Sequence, residues 1–260
     1  MEIVAPIDYA KEAVLEVQDY TLLAWRSIAN LFAHPRYLSD TLQQADAIGV
    51  GSVPVVVLTG MFTGIVLALQ SANSLARFGA LSLTGQLVSL SMVRELGPVL
   101  TSLLVAGRNS SGMASELGSM KVTEQIDAMR ALGTDPTKKL VTPRVVATVI
   151  MMFFLTIISD LVGLIGGFLV AYFILGLDSY QYWNSAYQSL VYADVFMGLT
   201  KPLLFGFILS TIGCYYGMTA HGGTQGVGRA TTQAVVASSV LILMVDAFYT
   251  RLLLSIFGMH

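Results

Sequence analysis

The sequence predicts an all-α membrane protein in which an amphipathic helix on the membrane surface precedes five transmembrane helices. Of the 260 residues, 55% are hydrophobic and only 12% are charged, and this charged fraction is about half that of a typical soluble domain. Several apolar runs are long enough to cross about 30 Å of hydrocarbon. The formal net charge of -2 and the lack of a long basic tract argue against a nucleic-acid partner.

The N-terminal segment predicts a helix that lies in the plane of the membrane. Between residues 9 and 32, apolar side chains recur at three- and four-residue steps, which places them on one helix face. Trp25 lies on that face, and Arg26 and Arg36 lie near the predicted end at His34-Pro35. A soluble helix packed on a partner is the alternative. Acidic residues near the start of the chain argue against a signal peptide.

We expect residues 1–45 to form this N-terminal unit and residues 46–260 to form the transmembrane domain. Pro54 should kink or break the first span. Gly60 and Gly64 allow close helix approach, either within the chain or to a second copy, and Gly163 and Gly167 repeat this spacing. The predicted spans are residues 48–69, 87–105, 145–175, 197–218 and 234–257.

The distribution of basic residues predicts the orientation of these spans. With a cytoplasmic N-terminus, the outer loops hold only Arg77 and Arg251, while the other loop arginines and lysines are cytoplasmic. The C-terminus is then periplasmic. Residues 107–144 become a cytoplasmic segment, with a helix-like stretch at 114–132 and Gly133 able to adopt a positive φ. Aromatic residues expected to anchor the outer interface, with docking as the alternative, are Tyr180, Tyr182, Trp183, Tyr187 and Tyr192.

Charged residues inside the spans are the candidates for function. An Arg near the centre of a membrane helix is unfavourable by roughly 2.5 to 3.5 kcal/mol. We therefore expect the Arg94-Glu95 pair to have a structural or functional role that offsets this cost. Lys201 and Asp246 lie in the same outer half of the predicted bundle. The four charges either form an ion-pair network that fixes helix packing, or Arg94 and Lys201 meet the anionic head group of an amphiphile. Asp160 has no predicted role.

The cytoplasmic segment also carries a set of charges. By themselves they are typical of a solvated helix face, and docking on a soluble partner is the alternative. The chain has 1 cysteine and 3 histidines, so neither an internal disulfide nor a zinc site within one chain is expected. The charges that decorate the segment are Glu116, Lys121, Glu124, Asp127 and Arg130.

Several motifs give the chain a family resemblance. They are SMVRELGPVL at 91–100, AGR at 106–108, ASELG at 114–118, TEQ at 123–125 and GRATT at 228–232. With these motifs, and with Gly60, Gly64, Gln70, Lys201 and Asp246 in place, the chain resembles the MlaE-type permeases. These proteins are the membrane subunits of bacterial ABC systems that move lipids between the inner and outer membranes with an MCE-domain partner.

This resemblance implies an architecture and a set of partners. It implies two copies of the chain, two cytoplasmic ABC ATPase subunits, a periplasmic MCE-domain hexamer and a small cytoplasmic STAS-type subunit. Residues 116–133 correspond to the coupling helix that seats in the ATPase, with Glu116, Glu124, Asp127 and Arg130 as contacts. The phospholipid pocket between the two copies would be lined by Leu67, Gln70, Arg94, Glu95 and Leu96.

The expected function is therefore that of a permease subunit in the bacterial inner membrane, which moves phospholipids between the two membranes and maintains outer-membrane lipid asymmetry. The chain lacks a G-x-x-x-x-G-K-[ST] loop, so we expect no cofactor in this chain and ATP at a separate ATPase. An ion-coupled secondary carrier using Glu95 and Asp246 is the alternative, although an odd span count without an internal repeat fits it poorly. An intramembrane enzyme is a third possibility, but no Ser-His or Cys-His arrangement can be assembled from this chain.

Overall fold

Long helices dominate the computed structural model of the chain, which describes residues 6–32 and 37–258. The described part contains no β-strand, and five of its helices are long and apolar enough to cross a membrane. The prediction of an all-α membrane protein with five spans is confirmed. The helices are α1 Pro6–Ala29, α2 Leu38–Ala76, α3 Leu81–Val122, α4 Gln125–Ala131, α5 Thr137–Phe173, α6 Ser179–Ser189, α7 Tyr192–Met218 and α8 Gly223–Phe257.

The first span is longer than the sequence predicts. Helix α2 begins at Leu38, so its first residues fall within the stretch 1–45 that was assigned to the N-terminal unit. Pro54 lies inside α2, which continues through it as one helix, so the prediction of a break is wrong. Proline removes only the hydrogen bond that its N–H would donate to the carbonyl of Val50, and neighbouring helices in a membrane bundle offset such a loss. A kink at Pro54 stays a prediction.

Helices α2 and α5 make the most extensive contact in the bundle, and glycines allow it. A Cβ added to Gly64 would lie 1.8 Å from the carbonyl oxygen of Gly163, and one added to Gly60 would lie 2.8 Å from the carbonyl oxygen of Ser159. The two backbones therefore touch. The structure therefore places Gly60 and Gly64 against a helix of the same chain, which was one of the two predicted possibilities.

Helix α3 is 42 residues long and contains two π-helical turns, Met92–Leu96 and Ala106–Ser110. Hydropathy carries no signal for this change in backbone hydrogen bonding, so these turns could not be predicted from the sequence. Such turns are frequent at functional sites. The first of them contains both Arg94 and Glu95.

The helix-like stretch at 114–132 is divided into two helices. α3 ends at Val122, and α4 begins at Gln125 after a turn in which Glu124 has a φ of 60°, the only positive φ of a non-glycine residue in the described part of the chain. Gly133 has a φ of 78°, which confirms the prediction for this glycine. The end of α3 packs on the turn between α7 and α8, since a Cβ at Gly118 would lie 3.2 Å from that of Ala220.

The aromatic stretch forms the short helix α6, which the sequence analysis did not predict. The carboxylate of Asp178 caps its start by accepting a hydrogen bond from the N–H of Tyr180 at 3.2 Å. Tyr182 is buried, and its hydroxyl donates a hydrogen bond to the carbonyl oxygen of Leu164 at 3.0 Å. Burial raises the pKa of this hydroxyl. Tyr182 thus fixes α6 to α5, whereas Tyr180 and Tyr187 are exposed, and their interfacial role stays a prediction.

Helix α1 lies against α7 and the start of α5. The hydroxyls of Tyr20 and Thr211 are 3.0 Å apart. Its predicted apolar face remains uncovered by the chain, since Val14, Val17 and Trp25 are 66%, 65% and 69% exposed. This face is available to lipid or to a partner. The predicted end at His34-Pro35, and Arg36, lie outside the described residues.

Candidate functional site

Lys201 is the centre of a charged cluster that joins α3, α7 and α8. Its side chain is fully buried, and its ammonium nitrogen lies 2.5 Å from Oε2 of Glu95 and 2.9 Å from Oδ1 of Asp246. It also donates a hydrogen bond to the carbonyl oxygen of Arg94 at 2.9 Å. An ammonium group has three donors, so these three acceptors satisfy it completely.

The bond to the Arg94 carbonyl follows from the local sequence. In an α-helix this carbonyl would accept a hydrogen bond from the N–H four residues later, but that residue is Pro98, which has no N–H. A buried carbonyl without a donor is unfavourable. Lys201 supplies the missing donor from α7. The proline and the π-helical turn therefore explain why a buried lysine is needed opposite this part of α3.

Arg94 contacts a carboxylate, that of Asp194, which was not predicted from the sequence. Its Nε and Nη2 atoms each lie 2.6 Å from Oδ1 of Asp194, which is fully buried at the start of α7. The other oxygen of Asp194 accepts a hydrogen bond from the N–H of Val191 at 3.0 Å. Asp194 and Lys201 are seven residues apart and share one helix face, and this spacing was the available signal.

The predicted four-residue network is therefore corrected to two linked groups. Lys201, Glu95 and Asp246 form one group, and Arg94 forms an ion pair with Asp194 in the other. Adjacent side chains on a helix point in directions about 100° apart, so Arg94 and Glu95 face different partners. Thr250 on α8 extends the first group by donating a hydrogen bond to Oε1 of Glu95 at 3.2 Å.

A cavity of about 490 Å³ lies beside these groups on the surface of α2 and α3. Three of the five predicted pocket residues line it, namely Leu67, Gln70 and Leu96. Arg94 and Glu95 come directly before Leu96 in the sequence but do not line the cavity. Its volume is within the usual range for small-molecule sites. The remaining lining residues, which the sequence analysis did not single out, are Leu58, Thr59, Phe62, Thr63 and Val66.

Of the four predicted coupling charges, Glu116 lies within α3 and the other three lie at or near α4. Glu116 forms an ion pair with Arg144 of α5 at 2.8 Å. Asp127 contacts Lys121 at 2.7 Å and Arg130 at 3.3 Å. The hydrogen bond from Lys121 lowers the pKa of the Asp127 carboxyl. Glu124, Asp127 and Arg130 are exposed, and the buried Ile126 holds α4 to the bundle.

Asp160 lies where α5 packs on α3. Its side chain is only 8% exposed, and its Oδ1 atom has no hydrogen-bond partner among the described residues. A Cβ at Gly97 would lie 1.7 Å from this oxygen, so a larger residue at position 97 would displace the carboxyl group. The hydroxyls of Thr101 and Thr156 also lack partners within the described part of the chain.

Comparisons with known proteins agree with this architecture. Residues 41–252 match the family model described as Permease MlaE. A probable ABC transporter permease protein of Rickettsia typhi is 46% identical over 237 residues, which cover 91% of this chain and 92% of that protein. The intermembrane phospholipid transport system permease protein MlaE of Haemophilus influenzae is 36% identical over 213 residues, which cover 82% of each chain.

A plant relative extends the comparison. The chloroplast protein TRIGALACTOSYLDIACYLGLYCEROL 1 of Arabidopsis thaliana is 37% identical over 225 residues, which cover 86% of this chain and 64% of the plant protein. The five apolar helices and these similarities describe a multi-pass inner-membrane protein of the ABC transporter permease type. The chain belongs to the MlaE permease family.

Proposed function

We propose that this permease subunit moves phospholipids between the inner and outer membranes and so maintains outer-membrane lipid asymmetry. The observation that carries the proposal is the apolar cavity that ends at Leu96, directly after the charged residues Arg94 and Glu95. A phospholipid needs an apolar surface for its acyl chains and a cationic group for its phosphodiester. The apolar surface comes from α2 and from Leu96 of α3, and the cationic Arg94 lies two residues before Leu96 in α3.

Arg94 is the residue that would bind the head group. Its side chain is 31% exposed although the carboxylate that it contacts, Asp194, is fully buried. A guanidinium binds phosphate oxygens through charge-assisted hydrogen bonds. Asp194 would hold the guanidinium in position, and the amide of Gln70 adds a polar group at the cavity.

A second copy of the chain would close the cavity. Leu58, Phe62 and Val66 follow one another at four-residue steps on α2 and are 56%, 53% and 48% exposed. A twofold axis beside this face would bring two such stripes together around a shared space. A two-tailed lipid would fit between two copies better than on the surface of one.

A separate cytoplasmic ATPase would drive the cycle, with ATP bound there and α4 as its docking element. The exposed charges Glu124, Asp127 and Arg130 offer polar contacts, and Ile126 ties α4 to the bundle. α3 runs from Leu96 to Val122 without a loop, and only the turn at Glu124 separates it from α4. The π-helical turns Met92–Leu96 and Ala106–Ser110 are the positions where α3 could shift its register, so a displacement at α4 would alter the cavity.

The remaining partners follow from the proposed orientation. With the N-terminus cytoplasmic, α6 and its exposed Tyr180 and Tyr187 face the periplasm, where an MCE-domain hexamer would receive or deliver the lipid. A small STAS-type subunit would belong to the cytoplasmic side. Lys201 contacts both Glu95 and Asp246, so we favour a structural role for these carboxylates over proton carriage.

The head-group role can be tested in vesicles that contain the permease and its ATPase. Arg94→Ala alone would leave the buried Asp194 unpaired, so the informative variant is Arg94→Ala/Asp194→Asn, in which the amide oxygen still caps Val191. We expect ATP-dependent transfer of a fluorescent phospholipid to fall at least tenfold, roughly the effect of one lost charge-assisted hydrogen bond. Asp194→Asn alone is the control and should keep most activity. Transfer at the wild-type rate by the double variant would refute the head-group role.

The docking role of α4 needs a separate variant. Glu124→Lys/Asp127→Lys should weaken co-purification of the ATPase and abolish lipid-stimulated ATP hydrolysis, because both side chains are exposed on the proposed contact surface. Arg77→Glu/Arg251→Glu reverses two exposed charges at the other end of the bundle and should leave coupling intact. A fully coupled complex with the first double variant would contradict this part of the proposal.

A further inference from the structure

A second groove lies between α1, α7 and α8, at the end of the bundle that carries α4. It consists of two contiguous cavities of about 370 Å³ and about 160 Å³ that share Glu16, Tyr215 and Tyr216. The larger cavity is polar and the smaller one is apolar. Neither shares a lining residue with the cavity on α2 and α3.

The polarity of the groove changes along the length of the helices. The polar cavity is lined by Thr219 and His221 in the turn between α7 and α8, and by Arg229 near the start of α8. The apolar cavity lies further into the bundle, where Ala237 and Leu241 line it from α8. Arg229 and Leu241 are twelve residues apart, or about 18 Å along a helix. This order, polar at the membrane surface and apolar inside, matches one acyl chain with its head group.

The polar cavity contains two opposite charges that do not neutralise each other. Within the described residues, no carboxylate lies at ion-pair distance from Arg229, and no cation lies at ion-pair distance from Glu16. The guanidinium of Arg229 lies over the turn at Gly222, 3.3 Å from where a Cβ would be. A positive and a negative group on different helices, each able to take a partner, are complementary to a zwitterion.

We propose that this groove binds a zwitterionic phospholipid from the adjacent membrane leaflet, which is the cytoplasmic leaflet in the proposed orientation. Arg229 binds the phosphodiester, Glu16 binds the ammonium group, and one acyl chain occupies the slot beside Ala237. A purely anionic head group is disfavoured because Glu16 repels it. A docked peptide helix, about 10 Å across, is too wide for a slot of about 160 Å³.

This lipid would be a resident component of the fold, and the inference does not depend on the proposed transport function. Helix α1 contacts α7 and the start of α5, and the ring of Tyr20 packs edge-on against that of Tyr215 at 5.9 Å between centroids. A lipid with Glu16 on one side and Arg229 on the other would link α1 to α8. It would therefore stabilise the position of the N-terminal helix.

The test uses tryptophan fluorescence of the full-length protein in detergent micelles. Trp25→Phe/Trp183→Phe removes both native tryptophans, and Val240→Trp places a reporter beside the slot without lining it. Phosphatidylethanolamine with brominated acyl chains should quench this reporter saturably, and at lower concentrations than brominated phosphatidylglycerol. Leu252→Trp, at the other end of α8, is the matched reporter and should show no head-group preference. Equal half-saturation by the two lipids at Val240→Trp would overturn the proposal.

Variants of the groove in the reporter background assign the contacts. Arg229→Gln should raise the half-saturating concentration of phosphatidylethanolamine about tenfold, the effect of losing one charge-assisted hydrogen bond. Glu16→Gln should bring the two lipids to the same half-saturation, and Ala237→Phe should abolish saturable quenching. An unchanged lipid preference in Glu16→Gln, which alters one exposed side chain on α1, would contradict the ammonium contact. ATP-driven transfer is measured separately and reports on the other cavity.

Discussion

Removing the ammonium group of Lys201 should destabilise the protein more than most single substitutions, because it leaves two carboxylates without their cation. Lys201→Met keeps the length of a side chain that is fully buried, while Glu95 and Asp246 are 40% and 17% exposed. Breaking a buried ion pair destabilises by about 3 to 5 kcal/mol. Because Glu95 is partly exposed, we expect a destabilisation at the lower end of this range. With roughly 2 to 4 °C per kcal/mol for a chain of this size, we expect the melting temperature to fall by about 6 to 12 °C.

The assay is thermal unfolding of the purified protein in detergent, followed by circular dichroism. Lys201→Met/Glu95→Gln/Asp246→Asn removes all three charges and should recover at least half of the loss, because no carboxylate remains uncompensated. Lys11→Met changes an exposed lysine of α1 and should shift the midpoint by less than about 2 °C. If Lys201→Met unfolds within 2 °C of the wild type, or if the triple variant is no more stable than the single one, the ammonium group does not stabilise the fold by compensating these carboxylates.

Two further substitutions test the packing of α5. Gly64→Ala would place a Cβ 1.8 Å from the carbonyl oxygen of Gly163, so we expect the free energy of unfolding to fall by about 1 to 3 kcal/mol from overpacking. Gly107→Ala is the control, because a Cβ there meets no atom within 4 Å, and it should leave the melting temperature unchanged or raise it. Equal midpoints for the two variants would show that the close contact is unimportant. Asp160→Asn keeps the shape of a buried side chain whose Oδ1 has no partner among the described residues, so we expect the midpoint to stay or rise; a fall of more than 5 °C in the same unfolding assay would mean that the charge itself is required.

Most of the fold could be predicted because hydrophobic length and charge placement report directly on membrane spans. The glycine pair at Gly60 and Gly64 also indicated close helix packing, and the structure places it against α5. The extent of α2 was harder to predict. Its first residues are too polar to be read as part of a span, yet they continue the helix beyond the apolar stretch. The short helix α6 was missed because eleven residues without a long apolar run give little periodic signal.

The site was predicted in part. Arg94, Glu95, Lys201 and Asp246 stand out because charged residues are rare inside apolar spans, and three of them meet at one ammonium group. Asp194 was missed because it lies at the end of a helix, where an acidic residue is normally an ordinary cap. Its partner Arg94 is 100 residues away in the sequence. The π-helical turn that contains Arg94 and Glu95 is a property of backbone hydrogen bonding, which side-chain patterns do not report.

The proposed transport cycle requires that the cavity at Leu96 holds a phospholipid and that a separate ATPase empties it. The most direct measurement replaces Leu67 by a photoreactive amino acid in the permease assembled with its ATPase, and follows crosslinks to a radiolabelled phospholipid in vesicles. We expect strong crosslinking without nucleotide and a marked decrease during ATP hydrolysis, with the same photoreactive residue at Leu252 unaffected by ATP. Crosslinking at Leu67 that is absent, or that does not change with ATP, would show that this cavity does not hold the transported lipid.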